Sequence, residues 1–143
     1  MILPDVNLLI HAHNADSPVH DAARRWWDDL LAGTVGVGLA WIVMLGFIRI
    51  TTHRSILANP LPVTDVLDRL GSWLALPQVH VAAPSCRHYN LLRNLLGNLG
   101  TAGNLTTDAH LAALAIGRGY QLHSTDTDFA RFPALKWRNP LQV

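Results

Sequence analysis

Three aspartates, Asp5, Asp108 and Asp126, stand where a parallel sheet could gather them into a catalytic site. Asp5 follows a short apolar strand, Asp126 follows another, and Asp108 lies in the first turn of a predicted helix. Because ligands bind open parallel sheets at the carboxyl ends of the strands, we expect the three side chains at one edge. Clustered carboxylates repel one another unless a cation joins them. Oxygen ligands without cysteine or paired histidines favour Mg²⁺ or Mn²⁺ over zinc.

Each of these aspartates also has a structural interpretation. Asp108 would favour the positive end of its helix, an effect worth less than about 1 kcal/mol. Asp126 and its neighbour Asp128 are of a residue type that is common in turns. Asp5 is harder to explain in this way, because a carboxylate beside a hydrophobic strand needs a partner. Taken singly, each aspartate leaves both interpretations open, whereas the set predicts a carboxylate cluster.

The elements that would position these acids alternate between strand and helix. Strands are predicted at Ile2-Leu3, Val35–Leu39, Val79–Ala82, Tyr120–Ser124 and Lys136–Arg138. Helical spacing of apolar residues predicts five helices. The first begins at Ser17-Pro18 and ends at Gly33, and the others cover Trp41–Thr52, Thr64-Asp65 to Leu74, Tyr89–Leu99 and Thr106–Ile116. A turn and a short helix are predicted over Asp126–Phe132. Strands separated by helices pair in parallel. The sequence therefore predicts one three-layer α/β/α domain, residues 1–143, with a short central parallel sheet.

Composition narrows the functional classes only partly. Half of the 143 residues are hydrophobic and 15% are charged, which excludes a disordered chain. The formal net charge of +1 neither supports nor excludes a nucleic-acid partner. A single cysteine, Cys86, favours a reducing compartment. No signal peptide is readable, and the longest apolar run, Val35–Ile48, is interrupted by glycines and too short for a membrane span. We therefore predict a cytoplasmic protein without a membrane partner.

Four stretches, in order along the chain, resemble one known family. They are Leu3–Ile10, Leu45–Thr52, Gly103–Ala115 and Ser124–Pro133. Together they resemble the PIN-domain ribonucleases, and more narrowly the VapC-type toxins of type II toxin–antitoxin systems, a group common in mycobacteria. The resemblance covers essentially the whole chain.

The resemblance implies a role for each polar residue in these stretches. PIN domains hold one or two divalent ions, Mg²⁺ or Mn²⁺, with four acids. Asp5, Asp108 and Asp126 match the first, third and fourth acids and would be the catalytic and metal-binding residues. Asp128 matches a supplementary acid and would also bind metal, and Asn7 and Thr125 match small polar residues that orient the carboxylates. The second family acid, a glutamate, is missing, and its position falls near Met44.

The resemblance also implies a function and partners. The protein would be a metal-dependent endoribonuclease that hydrolyses phosphodiester bonds in tRNA or rRNA, and a cognate VapB-type antitoxin would inhibit it. We expect a homodimer, and we expect an antitoxin segment to lie across the helix near Trp41–Thr52. The missing glutamate leaves an alternative open, a catalytically inactive PIN-like module that binds a protein or RNA. A Rossmann-like nucleotide binder is least favoured, because no glycine-rich phosphate loop is present.

Overall fold

Five short parallel strands form one sheet in the computed structural model, which describes residues 1–142. The strands are β1 (Ile2–Pro4), β2 (Val37–Ala40), β3 (Val79–Ala82), β4 (Gln121–His123) and β5 (Trp137–Arg138), and their order across the sheet is β3-β2-β1-β4-β5. All neighbouring pairs are parallel. The predicted parallel sheet is confirmed, including the edge strand near the carboxyl terminus. The final residue of the predicted domain, Val143, lies outside the described residues.

Six α-helices flank this sheet, which confirms the predicted three-layer α/β/α fold. They are α1 (Val6–His13), α2 (His20–Ala32), α3 (Trp41–Thr51), α4 (Val63–Leu74), α5 (His88–Leu99) and α6 (Thr106–Arg118). Two 3₁₀ segments, Gly103–Leu105 and Thr127–Arg131, precede α6 and follow β4. Within residues 1–142, no helix is long and apolar enough to cross a membrane.

Two helix starts differ from their predicted positions. The Ser17-Pro18 pair does not begin α2, which starts at His20. The Ser17 hydroxyl instead accepts a hydrogen bond from the backbone N–H of Val19 (3.3 Å), so its capping capacity is used within a local turn. Helix α4 starts at Val63, directly after Pro62 and one residue before the predicted Thr64-Asp65 cap. Both predictions were therefore wrong by one or two residues.

An aromatic cluster joins the helices on one side of the sheet. The ring centroids of Trp27 and Trp73 lie 5.0 Å apart in a T-shaped arrangement, and those of Phe47 and Trp73 lie 5.3 Å apart. Edge-to-face pairs of this kind stabilise a core beyond the effect of burial alone. Helices α2, α3 and α4 are thereby packed into one unit behind β1 and β2.

The strand order places a switch point beside β1. From β1 the chain builds β2 and β3 toward one edge, and it returns to place β4 and β5 on the other side. A strand order of this kind opens a crevice at the carboxyl ends of the two strands on either side of the switch point, here β1 and β4. The register pairs Pro4 of β1 with His123 of β4. The residues that follow these two, Asp5 and Ser124, therefore leave the sheet side by side.

Candidate metal and active site

Asp5 is held at both carboxylate oxygens. The backbone N–H of Val6 donates to Oδ1 (2.7 Å), and the hydroxyl of Ser124 donates to Oδ2 (2.7 Å). The backbone N–H of Asp5 itself donates to the carbonyl of His123 (2.9 Å), which continues the pairing of β1 with β4. Only 7% of the residue is exposed. Asp5 is thus a buried carboxylate whose orientation is fixed by the sheet.

Ser124 links several parts of the site and was not among the residues selected from the sequence. Its side chain is fully buried, and besides donating to Asp5 it accepts hydrogen bonds from the backbone N–H of Asp126 (3.0 Å) and from Nδ2 of Asn7 (3.3 Å). Asn7 therefore contacts the site through Ser124. The side chain of Thr125 makes no hydrogen bond within residues 1–142, and its orienting role stays a prediction. The signal that could have indicated Ser124 is its position directly after a strand, in register with Asp5.

Asp108, Asp126 and Asp128 converge on one point. One carboxylate oxygen from each lies within 4.8 Å of the others, and this is the one group of three or more potential metal ligands among residues 1–142. Asp108 is the third residue of α6. Asp126 is the N-cap of the second 3₁₀ segment, and its Oδ1 accepts from the backbone N–H of Asp128 (2.9 Å). The tight 3₁₀ turn that follows Asp126 thus brings the carboxylates of Asp126 and Asp128 together.

The four aspartates repel one another in the absence of a cation. Burial, together with the negative charges of Asp126, Asp5 and Asp128, raises the pKa of Asp108 to about 6. Burial also raises the pKa of Asp5, and the hydrogen bonds from Ser124 and Val6 oppose this effect only in part. Such elevated carboxyl pKa values mark functional sites more often than structural ones. Burial is the larger cause of both shifts, and the neighbouring negative charges add to it; a divalent cation would offset that charge.

The donor set fits a hard divalent ion. The group offers only carboxylate oxygens, the ligands that Mg²⁺ and Mn²⁺ prefer. Arg131 is the one cation that pairs with the cluster among the described residues, through Asp128 at 3.5 Å. Both side chains of that pair are about half exposed, so the pair offsets little of the repulsion. The fit to Mg²⁺ or Mn²⁺ therefore follows from the chemistry of the ligands.

The expectation that position 44 is the vacant acid site is wrong. Met44 is only 2% exposed and packs in the hydrophobic core with Val43 and Phe47. The face of α3 that borders a cleft of about 260 Å³ next to the carboxylates is a different one. That cleft is lined by Val6, Ile42, Leu45, Gly46, Arg49 and Thr107. Helix α3 contributes no carboxylate to it.

Two further features, a histidine pair and a cavity, contain none of the four aspartates. His110 pairs with His88 through a contact of 2.9 Å between Nδ1 and Nε2, which accounts for it structurally. A larger cavity of about 420 Å³, between α5 and residues 131–134, contains none of the four aspartates.

Comparison with known proteins agrees with this arrangement. Residues 2–135 match the PIN domain family. The chain is 44% identical, over 99% of both chains, to ribonuclease VapC33 of Mycobacterium tuberculosis. Its fold is similar to that of M. tuberculosis VapC20, described as a sarcin-ricin loop cleaving toxin (TM-score 0.69, 17% identity, 97% of this chain and 100% of the other). It is also similar to a chain in the complex of Rickettsia felis VapBC2 with a promoter DNA fragment (TM-score 0.67, 20% identity, 97% and 98%).

Proposed function

This chain belongs to the PIN domain family, and from that premise we propose that it is a metal-dependent endoribonuclease that acts as the toxin of a VapBC-type module. The observation that carries the proposal is the convergence of Asp108, Asp126 and Asp128 on one point, with Asp5 close enough for its charge to raise the pKa of Asp108. A purely structural domain has no use for four mutually repelling carboxylates. A relative that is 44% identical over the whole chain and named a ribonuclease supports the same activity.

The four aspartates would have different roles, because their surroundings differ. Asp108, Asp126 and Asp128 would hold Mg²⁺ or Mn²⁺, because their oxygens already face one point. When bound, the ion supplies Lewis acidity toward a phosphodiester and makes water a better nucleophile. Asp5, fixed by Ser124 and the Val6 N–H, would also hold the ion, directly or through water, and would accept a proton from a water molecule at a carboxylate oxygen. Asn7 and Thr125 would keep the supporting role that the family resemblance gives them.

We further propose that one ion binds tightly and a second only with the substrate. Helix α3 adds no carboxylate, and Arg131 pairs with Asp128, so three of the four negative charges remain unpaired; they compensate one divalent ion fully but two only in part. Mg²⁺ also loses its water shell reluctantly. An RNA phosphate would supply the missing negative charge for a second ion. Titration calorimetry with Mn²⁺ on the RNA-free protein should give one tight site, and two tight sites would contradict this charge balance.

The substrate and partners follow from family membership. The RNA would be a tRNA or rRNA, and the protein partner a cognate VapB-type antitoxin, as in the VapBC complexes of similar fold. We also propose a homodimer, with the whole chain of residues 1–143 acting as one domain. The cytoplasm is the compartment that holds these RNAs and keeps a thiol such as Cys86 reduced.

A second candidate function is a PIN-like module that binds RNA or protein without cutting. The observation that favours it is that the face of α3 that lines the cleft contains no carboxylate. Such a module would retain RNA binding while showing no cleavage in any divalent metal.

Cleavage of total RNA by the purified protein separates the two candidates. We expect cleavage with Mg²⁺ or Mn²⁺, none in EDTA, and none by Asp126→Asn in either buffer. Asp65→Asn is the matched control, because Asp65 is an exposed first-turn aspartate on α4, outside the cluster. Cleavage that survives both EDTA and Asp126→Asn would refute the metal mechanism. RNA binding without cleavage would favour the inactive module.

A further inference from the structure

One face of α3 carries exposed side chains of three kinds that single-stranded RNA can bind. Trp41, Leu45 and Arg49 follow one another at intervals of four residues, so they lie along one side of the helix. Trp41 is 60% exposed and Leu45 is 59% exposed, and Arg49 is exposed as well. An aromatic ring, an aliphatic side chain and a guanidinium thus stand in a row that contributes nothing to the core. We call this row the α3 stripe.

Two residues of the α3 stripe, Leu45 and Arg49, line the 260 Å³ cleft. The same cleft is lined by Val6 and Thr107, which are the chain neighbours of Asp5 and Asp108. A Cβ added to Gly46 would lie 3.3 Å from Cγ2 of Val6, so a side chain at that position would crowd the cleft. A polymer that follows the stripe therefore passes directly beside the acidic cluster.

The charge of Arg49 is available to a ligand. The ion pairs among residues 1–142 involve Arg24 and Arg131, and Arg49 takes part in none of them and in no side-chain hydrogen bond. Arg49 lies in the last turn of α3, where the helix dipole stabilises a positive charge, and this accounts for a cation at that position. The dipole does not explain why Trp41 and Leu45, on the same face, are left in water. A free guanidinium binds phosphate through paired hydrogen bonds, and exposed aromatic rings bind bases by stacking.

We propose that the α3 stripe is the track on which the substrate RNA lies, with Arg49 on a backbone phosphate next to the cleaved bond and Trp41 and Leu45 against a base. This inference rests on the ribonuclease function proposed above and adds where the strand runs. The sequence-based expectation places an antitoxin segment on the same helix. The unpaired guanidinium of Arg49 favours a polyanion there over an apolar protein segment, because an apolar segment would cover that charge without supplying a partner for it.

Binding of a fluorescein-labelled RNA octanucleotide, followed by anisotropy in EDTA so that no cleavage occurs, tests the track. We expect Arg49→Gln to weaken binding several-fold and to reduce the slope of log affinity against log salt by about one, the signature of one lost phosphate contact. Trp41→Ala should weaken binding about fivefold or more. An octanucleotide with abasic sites should lose its dependence on Trp41 and keep its dependence on Arg49.

Arg93→Gln is the matched control, because Arg93 is an exposed arginine on α5 that takes part in no ion pair within the described chain. If the slope of log affinity against log salt is the same for Arg49→Gln and Arg93→Gln, the proposed RNA track is refuted. Loss of self-association in light scattering by Trp41→Ala and Arg49→Gln, with RNA binding unchanged, would also overturn it and identify a protein interface. If the wild type cleaves RNA with Mn²⁺ while both variants bind normally, only the track is wrong. A wild type that neither binds nor cleaves RNA would refute the ribonuclease function with it.

Discussion

Removing the charge of Asp108 should stabilise the metal-free protein while it destroys the metal site. The pKa of Asp108 rises in the folded state from 3.8 to about 6 because of burial and the neighbouring carboxylates, so its ionisation opposes folding. A difference of this size corresponds to roughly 3 kcal/mol at most. Because the side chain is only partly buried, solvent screening reduces the effect to about 1 kcal/mol. For a chain of 143 residues we expect Asp108→Asn to raise Tm by roughly 3–5 °C at about pH 7.5 in EDTA.

The size of this effect depends on pH in a defined way. A carboxyl group whose pKa is raised by folding costs no stability below its unfolded pKa, and the cost grows as pH rises toward the folded value. The advantage of Asp108→Asn should therefore be nearly absent at about pH 4 and complete above about pH 6. Added Mn²⁺ should reverse the order at neutral pH, because binding to the folded wild type stabilises it and the variant has lost a ligand.

Asp65→Asn controls for the helix dipole. Asp65 is the third residue of α4, as Asp108 is the third residue of α6, so both substitutions remove a negative charge from the same helix position. Asp65 is exposed and lies outside the cluster. Thermal unfolding by circular dichroism at both pH values measures the difference. The repulsion argument is refuted if Asp108→Asn raises Tm at pH 7.5 no more than Asp65→Asn does. It is also refuted if Asp108→Asn raises Tm at pH 4 as much as it does at pH 7.5.

Four further substitutions test other parts of the site. Ser124→Ala should cost about 1–3 kcal/mol in chemical denaturation and lower the cleavage rate, since it leaves buried polar partners unsatisfied; full stability of the variant would contradict the linking role. Asp126→Asn should abolish cleavage, whereas Asp128→Asn should only reduce it, because Asp128 is partly engaged by Arg131; equal rates in a timed RNA assay would contradict this ranking. Met44→Glu should destabilise the fold by several kcal/mol without tightening Mn²⁺ in calorimetry, since it buries a charge in the core.

Much of the fold could be predicted because the chain alternates clearly between short apolar strands and amphipathic helices. That alternation forces parallel pairing, and parallel pairing puts acids that follow strands at one edge. The positions of Asp5, Asp108 and Asp126 relative to their elements followed from local pattern alone. The local pattern also predicted α6 with Asp108 in its first turn, as the structure has it.

The orientation of α3 could not be predicted from its sequence. Helix Trp41–Thr51 is apolar on nearly all sides. Its sequence therefore has no amphipathic pattern that would distinguish the face in the core from the face at the cleft. Only packing decides that Met44 is buried while Leu45 borders the cleft. The role of Ser124 was hidden for a related reason. It depends on the register of β1 against β4, which is a long-range property that no local window contains.

The pairing of β1 with β4 also means that the candidate site can be completed only near the end of the protein's synthesis. Asp5 and Ser124 are separated by 119 residues, and Asp126 and Asp128 follow still later. A ribosome therefore exposes the first acid early and supplies its partners only at the end of translation. Until then β1 has no β4 beside it, and contacts between such distant residues form late in folding. A chain terminated before residue 124 would carry two of the four aspartates and no serine to fix Asp5. Prematurely released fragments should thus be harmless to the cell that makes them, and an inhibitor is needed only from the moment the last strands are added.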